Sequence, residues 1–452
     1  MLYDNHIANN LKKCKMSNIV MKMSEPLTLI IFGATGDLYQ NKLAVALFDL
    51  FSLNLLPKEF KIIGFARKSL TDLEFQDFTK DAVSQKHDKH SKNYNQESLD
   101  DFLKHLQYIQ GDLENLENFK DLNRQLVLND KKQGICTNKL FYLAVPPSLY
   151  EVIFKNISKA GLTVPCTPNE NKRKKTWTRV LVEKPFGKDI QEAKRLDKML
   201  GELFDESQIF RIDHYLAYLA KGVVDKILNF RFGPGETESR WNNKNVQNVR
   251  IIFHEKDLVG KRGAFYDSLG AFRDVGQSHM LQMLALVAME NPSDKSSGGI
   301  HQARQRVLEK IKLSEEDKMV RGQYEGYLEE LGVQPNSTTE TFFRLNLFVD
   351  NPKWKGVPFV LEFGKALDKS EVFIEACFKE SKTCLNFPIS NEDTLRDAYE
   401  KVFYDCLLGD QTIFASTGEI IAEWVLATDI IEKWQSTSLV IYKKGSKGVD
   451  IK

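Results

Sequence analysis

The first half of the chain alternates short apolar runs with longer segments of mixed polarity. Continuous apolar runs are typical of strands buried on both faces of a parallel sheet, and the segments between them have the length of helices. The alternation predicts a doubly wound α/β domain with right-handed crossovers. The predicted strands are Leu27–Phe32, Lys61–Ala66, Leu106–Gln110, Leu140–Val145, Arg179–Val182 and Gln208–Ile212.

The second half is predicted to form an α+β domain with a large, mainly antiparallel sheet, because several of its apolar runs alternate with polar positions. Helices interrupt these strands. The segment His279–Met289 is apolar on nearly all sides, as a buried helix is, and residues 301–318 have the pattern of a charged amphipathic helix. The predicted strands are Val249–Phe253, Thr341–Val349, Phe359–Phe363, Glu371–Phe378 and Ser438–Tyr442.

These patterns divide the chain into three segments. We expect a flexible N-terminal extension at residues 1–24, a nucleotide-binding domain at 25–213 and an α+β domain at 214–452. The length of the chain supports two domains, because 452 residues are more than a domain with a single hydrophobic core usually contains. The extension lacks the apolar stretch of a signal peptide and the Arg-rich composition of a transit peptide. Its methionines leave a later start as an alternative.

Charge and cysteine content narrow the class of partner. The 63 basic and 62 acidic residues give a formal charge of +1, so no overall field attracts nucleic acid or an anionic membrane. No apolar run reaches the roughly 18 residues that span a bilayer. The six cysteines show neither paired spacing nor a histidine cluster, which predicts buried thiols, no metal site and a reducing, cytoplasmic compartment.

A glycine-containing turn is predicted between the first strand and the first helix, at Gly33-Ala34-Thr35-Gly36-Asp37-Leu38. Glycines there let the backbone approach a pyrophosphate, which free N–H groups and the helix dipole hold. After the second strand, Arg67 and Lys68 stand where an NAD-binding domain places an acid. Two cations suit a 2′-phosphate, which favours NADP over NAD; the alternative is a solvated strand end.

The stretch Arg211-Ile212-Asp213-His214-Tyr215 follows the sixth predicted strand and combines an acid, an imidazole and a phenol. Clusters of this kind at the end of a regular element often carry catalysis. The alternative is a structural hydrogen-bonded pair, which is the more common role of one isolated Asp-His pair.

Further motifs, in the same order along the chain, resemble the signature segments of the glucose-6-phosphate dehydrogenase family over about residues 27–435. They are Pro146–Tyr150, Glu183–Gly187, Arg273–Val275 followed by His279, Arg321–Tyr324, Gly356–Phe359, Gly364–Leu367 and Asp397–Glu400. The resemblance implies a Rossmann-like coenzyme domain. It also implies oxidation of D-glucose 6-phosphate to 6-phosphogluconolactone, with hydride transfer to NADP and no metal.

The resemblance implies roles for individual residues. His279 is expected to take the proton of the anomeric hydroxyl as a general base, and Asp213 to orient its imidazole. An imidazole suits this role because it titrates close to working pH. The expected substrate-binding residues are Lys184, His214, Tyr215, Lys221, Glu255, Asp274, Lys365 and Lys369. The expected cofactor-binding residues are Gly33, Ala34, Thr35, Gly36, Asp37, Leu38, Arg67, Tyr150 and Lys184.

Four places depart from the family pattern. Tyr39 stands where the family has a small residue, and Glu362 replaces a basic residue. The region 382–396 is shortened, so at least one strand of the sheet is expected to be missing. The lysine that follows the His-Tyr pair comes three residues late, as Lys221. On a helix it still lies near the same face as the family position, one turn further on, so it can serve the phosphate.

Two classes of function are weighed against each other. The first is an NADP-dependent sugar-phosphate dehydrogenase that forms a homodimer or a dimer of dimers. The alternative is a diverged, weakly active or inactive relative that binds nucleotide or sugar phosphate as a sensor or scaffold. The groups that the chemistry needs, His279, Asp213 and Lys184, are retained, which favours the enzyme. A different oxidoreductase sharing only the nucleotide domain would leave the second-half motifs unexplained.

Overall fold

The computed structural model describes residues 25–86, 95–166, 176–213, 216–217, 223–233, 237–314, 319–381, 383–388, 398–434 and 436–450. The extension predicted at residues 1–24 lies outside this part of the chain.

The strands and helices alternate in the first half, and strands dominate the second. The strands, in chain order, are β1 (Leu27–Phe32), β2 (Phe60–Ala66), β3 (Leu106–Gln110), β4 (Asn138–Leu143), β5 (Thr178–Val182), β6 (Ile209–Ile212), β7 (Val246–His254), β8 (Ile311–Leu313), β9 (Val320–Tyr324), β10 (Phe342–Val349), β11 (Phe359–Gly364), β12 (Glu371–Phe378), β13 (Cys384–Pro388), β14 (Phe414–Ala415) and β15 (Leu439–Tyr442). The helices are α1 (Ala44–Ser52), α2 (Asp72–Lys86), α3 (Gln96–Leu103), α4 (Leu116–Gln133), α5 (Tyr150–Lys159), α6 (Ile190–Gly201), α7 (Val223–Phe232), α8 (Thr237–Arg240), α9 (Gly263–Ala271), α10 (Leu281–Ala288), α11 (Ser297–Leu308), α12 (Ala398–Leu408) and α13 (Thr417–Trp434). Two π-helical segments, Tyr39–Leu43 and Phe272–Met280, lead directly into α1 and α10.

The first sheet has seven strands in the order β14-β6-β5-β4-β1-β2-β3. Its six strands from the first half are parallel, and β1 lies between β2 and β4. The side chains of β1 are buried throughout, because helices cover both faces of the sheet. This arrangement confirms the predicted Rossmann-like, doubly wound domain.

The second sheet confirms the predicted α+β half. Its main path runs β13-β12-β7-β11-β10-β9-β15, with β8 added beside β10. Most of its pairs are antiparallel, whereas β7 with β11 and β9 with β15 are parallel. One face packs on helices: along β10, Leu345 and Leu347 are buried, while Arg344, Asn346 and Phe348 on the opposite face are half-buried.

The short strand β14 belongs to the first sheet although it comes late in the chain. Phe414 pairs antiparallel with Ile212 at the end of β6. The helix α13 begins directly after β14 and packs against the π-helix Phe272–Met280 and against α6. The second half of the chain therefore returns to the edge of the first sheet where Asp213 lies. The division at residues 213 and 214 stays a prediction.

Three sequence-based expectations need correction or refinement. The helix predicted at 301–318 ends at Leu308, because Ile311–Leu313 pairs with β10 as a strand. In the shortened region 382–396, the described residues 383–388 include the strand β13. The prediction of buried thiols is wrong for four cysteines, which form two disulfides: Cys136–Cys166 links residues 30 positions apart, and Cys377–Cys384 joins the paired strands β12 and β13. Cys406 is a buried thiol, and Cys14 lies outside the described residues.

No helix in the described part of the chain has both the length and the apolar character needed to cross a bilayer.

Candidate active site

Two turns at the carboxyl ends of neighbouring strands place the main polar groups of the site. The turn Glu183–Gly187 follows β5, and Asp213 follows β6. The two strands pair in parallel, with Val182 opposite Arg211. Because carboxyl ends of parallel strands meet at one edge of a sheet, Lys184 and Asp213 lie side by side.

A short hydrogen bond joins His279 to Asp213. The atoms His279 Nδ1 and Asp213 Oδ1 are 2.6 Å apart, although the residues are 66 positions apart in the chain. The same carboxylate oxygen accepts the backbone N–H of Leu216 at 2.9 Å, which fixes its orientation. Both side chains are buried. A carboxylate at Nδ1 keeps that nitrogen protonated, so Nε2 presents a lone pair.

Lys184 approaches the other nitrogen of the same ring. Its Nζ atom lies 2.9 Å from His279 Nε2, 2.6 Å from Ser278 Oγ and 3.0 Å from the Asp274 carbonyl oxygen. An ammonium group has three N–H bonds, so these partners use all of its donors. The lysine thus ties the turn after β5 to the π-helix, and the peptide bond between Lys184 and Pro185 is cis.

Burial and neighbouring charges set the protonation states of this cluster. Burial opposes ionisation of Asp213, but His279 and Lys184 outweigh that effect and hold the pKa of the carboxyl below its ordinary value. Burial lowers the pKa of the His279 imidazole, and Asp213 offsets only part of the shift. Burial also lowers the pKa of Lys184. Asp213 is therefore ionised and His279 is neutral. General base catalysis needs these two protonation states.

A cavity of about 100 Å³, partly open to solvent, lies against this cluster. Its walls come from the turn after β5, from α9 with the π-helix, and from the first turns of α13. Phe265 lines the cavity and is exposed, whereas Asp213 and Glu423 line it and are buried. The cavity therefore leads from the surface to Asp213, the hydrogen-bond partner of the base.

A second charged pair lies at the carboxyl ends of β7 and β11, which are parallel. The ammonium group of the buried Lys365 contacts the carboxylate of Glu255. Neither residue lines the cavity described above. Lys369, by contrast, is exposed and pairs with Glu371 at 2.7 Å. The structure thus brings Lys365 together with Glu255 and leaves Lys369 at the surface.

The glycine turn lies at the point where the strand order reverses, between β1 and β4. Gly33 has φ 85°, and a Cβ atom there would stand 2.4 Å from the Ala144 carbonyl oxygen. Gly36 N–H closes the turn on the Gly33 carbonyl at 3.0 Å, and a helix begins at once. Arg67 is exposed directly after β2, on the other side of β1. A turn of this kind at a reversal point fits the pyrophosphate of a dinucleotide.

Two tyrosines that the sequence singled out are buried. Tyr150 donates from its hydroxyl to the Glu183 carbonyl oxygen at 3.1 Å, so it supports the residue before Lys184. The Tyr39 hydroxyl lies 2.9 Å from Thr79 Oγ1, and its ring packs against Phe75. The fold accommodates the large Tyr39 side chain by packing it onto α2.

Some predicted residues lie elsewhere. His214, Tyr215 and Lys221 lie outside the described residues. The departure at Glu362 is compensated in the second sheet, where its carboxylate contacts His254 Nε2 at 2.8 Å and Arg344 at 3.3 Å. Arg211, from the same stretch as Asp213, is buried and donates to Asp197 and Glu206.

Four residues near the base were not predicted from the sequence. Ser278 accepts from Lys184, Gln277 and Glu423 line the cavity, and the Trp424 indole N–H donates to the Phe186 carbonyl oxygen at 3.2 Å. Ser278 could have been found, because it directly precedes His279. Glu423 and Trp424 carry no local motif, and only the return of the chain through β14 brings them to the site.

The doubly wound domain, its glycine turn and the buried base define an oxidoreductase class that uses a nicotinamide dinucleotide. Comparison with protein families agrees. Residues 30–224 match the family model described as "Glucose-6-phosphate dehydrogenase, NAD binding domain". Residues 228–394 and 382–451 match "Glucose-6-phosphate dehydrogenase, C-terminal domain". The chain belongs to the glucose-6-phosphate dehydrogenase family.

Similar proteins carry the same name. The chain is 32% identical to the glucose-6-phosphate 1-dehydrogenase of Chlamydia muridarum, over 90% of each chain. It is 33% identical to a cytoplasmic glucose-6-phosphate 1-dehydrogenase of Arabidopsis thaliana, over 93% of this chain and 89% of the relative. A solved glucose-6-phosphate dehydrogenase in complex with glucose 6-phosphate superimposes with a TM-score of 0.84 at 27% identity, over 95% of this chain and 96% of the other.

Proposed function

We propose that the protein oxidises D-glucose 6-phosphate to 6-phosphoglucono-1,5-lactone and passes the hydride to NADP. The observation that carries this proposal is the buried base His279, held at Nδ1 by Asp213 and approached at Nε2 by Lys184. Oxidation of a hemiacetal carbon requires a base for the hydroxyl proton, and this site supplies one in its neutral state.

The proposed proton transfer uses His279 Nε2. The anomeric hydroxyl takes the place of Lys184 beside that nitrogen, and Lys184 turns one N–H toward the hydroxyl oxygen. As the proton passes to the imidazole, the Asp213 carboxylate stabilises the imidazolium that forms. A bound nicotinamide dinucleotide supplies the hydride acceptor. Because the hydroxyl oxygen gains negative charge, the nearby ammonium group lowers the barrier.

We assign the sugar to the side of the site where Glu255 and Lys365 lie. Together with Asp274, they offer carboxylate acceptors and an ammonium donor, which suit sugar hydroxyls. By similarity to the family, His214, Tyr215 and Lys221 would hold the phosphate, and Lys369 would add positive charge nearby.

We assign NADP to the edge formed by β1, β2 and β4. The turn Gly33–Leu38 would hold the pyrophosphate, and the exposed Arg67 would pair with the 2′-phosphate. Tyr150 would contribute indirectly, through the Glu183 carbonyl oxygen that it holds.

We further propose a homodimer or a dimer of dimers that works in the cytoplasm. The half-buried face of the second sheet supports the dimer, because Arg344, Asn346 and Phe348 combine polar and aromatic groups on one strand. Phe348→Glu is expected to give monomers in light-scattering measurements while the unfolding temperature changes little. A monomeric parent protein would contradict the proposal. For the compartment, support comes from relatives named as cytoplasmic.

The direct test is a spectrophotometric assay of purified protein. Glucose 6-phosphate with NADP should produce the absorbance of reduced nicotinamide, and His279→Asn should lower turnover by several orders of magnitude with little change in substrate affinity. The exposed Asp429, on α13, offers a matched control through Asp429→Asn. If the parent protein bound nucleotide but showed no turnover with NADP or NAD, the sensor or scaffold alternative would replace this proposal.

A further inference from the structure

The carboxyl group of Glu423 is hydrogen-bonded by amide groups, although it lies in a site that contains charged residues. Its Oε1 atom accepts from Gln282 Nε2 at 2.6 Å, and its Oε2 atom lies 3.4 Å from Gln277 Nε2. The side chain is 2% exposed. Among the described residues, no lysine, arginine or histidine forms an ion pair with it. Within the described part of the chain, the hydrogen bonds of its two oxygens come from neutral amides.

Its surroundings favour the neutral acid. Burial raises the pKa of Glu423 well above its ordinary value, and the carboxylates of Glu419 and Asp213 add to the effect, with Lys184 opposing it. Glu419 is committed elsewhere, to the buried Arg304. A neutral carboxyl group offers one O–H donor and a carbonyl acceptor on the same edge.

The amides around this acid are incompletely satisfied. Gln282 is fully buried, and its Oε1 atom has no hydrogen-bond partner among the described residues. Among the residues that the structure describes, Gln277 makes one side-chain hydrogen bond, the 3.4 Å contact with Glu423, and it lines the cavity. The unpaired Gln282 atom does not line the cavity, whereas the Gln277 amide lines it and has capacity for a further hydrogen bond there.

The position of the cavity indicates which reactant reaches this group. The cavity is lined by Lys184 and by Asp274, which we also assign to the sugar, but not by Glu255 or Lys365. It also contains Pro185 to Gly187, at the carboxyl end of β5, two strands from β1 in the sheet. A dinucleotide held at β1 would extend its reactive end across β4 toward this edge. The nicotinamide and the sugar would then meet near Lys184 and Asp274, which both line the cavity.

We propose that Glu423, with Gln277, binds the carboxamide group of the nicotinamide ring. The inference rests on the proposed function, since it concerns the cofactor of that reaction. A neutral acid and a primary amide pair through two hydrogen bonds: the O–H donates to the amide oxygen, and the amide N–H donates to the acid carbonyl. Such pairing fixes the rotation of the ring and therefore the face presented to the sugar carbon.

The test compares binding of NADP with that of its 3-acetylpyridine analogue, which has a methyl group in place of the amide nitrogen. Isothermal titration calorimetry gives both dissociation constants without turnover. The parent protein should prefer NADP by about tenfold, the worth of one good hydrogen bond, and Glu423→Leu should reduce that preference to about one. Glu423→Gln keeps a donor and an acceptor, so it should retain most of the preference.

Controls separate this inference from other outcomes. Glu432→Gln removes an exposed acid from the same helix and should leave the NADP preference and the KM for glucose 6-phosphate unchanged. The thermal transition shows whether Glu423→Leu is folded. If the folded variant still preferred NADP as strongly as the parent protein does, the assignment would be overturned. If Glu423→Leu did not fold, an unchanged preference for NADP in a folded Gln277→Leu variant would overturn the assignment equally. Absence of turnover in a parent protein that binds NADP would instead refute the proposed function.

Discussion

Removing the charge of Asp213 is the sharpest test of the catalytic pair. Asp213→Asn keeps an oxygen that can accept from both His279 Nδ1 and the Leu216 N–H, so the positions of the groups should be preserved. The change removes the negative charge that stabilises the imidazolium formed when the sugar hydroxyl loses its proton.

The magnitude follows from the geometry. The hydrogen bond is 2.6 Å long, which places the centres of charge about 4 Å apart, and unit charges at that separation interact by about 4 kcal/mol at an effective dielectric constant of about 20. Each 1.36 kcal/mol added to a barrier slows a reaction about tenfold. We therefore expect kcat to fall by about three orders of magnitude.

Steady-state kinetics with saturating NADP and varied glucose 6-phosphate measure the effect. The KM should change little, because the lost interaction develops mainly in the transition state. Asp429→Asn is the control for removal of one charge from the surface. A kcat within tenfold of the parent value would refute the role of Asp213, provided that the variant remains folded.

Three further predictions concern the cofactor, the pH dependence and the fold. Arg67→Ala should weaken NADP about 10- to 100-fold and leave NAD within about twofold, as measured by KM for each; equal losses would show that the 2′-phosphate is bound elsewhere. Because burial lowers the pKa of His279, kcat/KM should be constant down to about pH 6.5 and should fall only below that pH, as the imidazole gains a proton. Asp213 raises the pKa of His279, so in Asp213→Asn the fall of kcat/KM should begin at a lower pH. A fall that began at a higher pH would contradict this role of Asp213. Tyr39→Phe should reduce the free energy of unfolding in urea by about 1 kcal/mol through loss of the bond to Thr79, without changing NADP binding; a fall in NADP affinity would show that Tyr39 shapes the glycine turn.

Hydrophobic patterns along the chain predicted the strands well where each pattern matched the burial of the strand in its sheet. The apolar runs identified all six parallel strands of the first half, with Leu27–Phe32 and Leu106–Gln110 matched at both ends. Leu27–Phe32 is buried on both faces and is therefore almost continuously apolar. Asp189 caps α6, because its side chain accepts the Glu192 N–H at 2.8 Å. The helix expected at 301–318 failed in its second half, where pairing with β10 outweighed the amphipathic pattern.

The sequence by itself determined which residues carry the chemistry of the site and that they lie near the ends of helices or strands. His279, Asp213 and Lys184 were expected from motifs that lie close to the ends of regular elements, and their chemistry is readable from the chain. Which groups touch was decided by tertiary structure. The 2.6 Å contact between Asp213 and His279 spans 66 residues, and the contact between Glu423 and Gln282 spans 141. Burial, which lowers the pKa of His279 and raises that of Glu423, exists only after these segments pack together and exclude water.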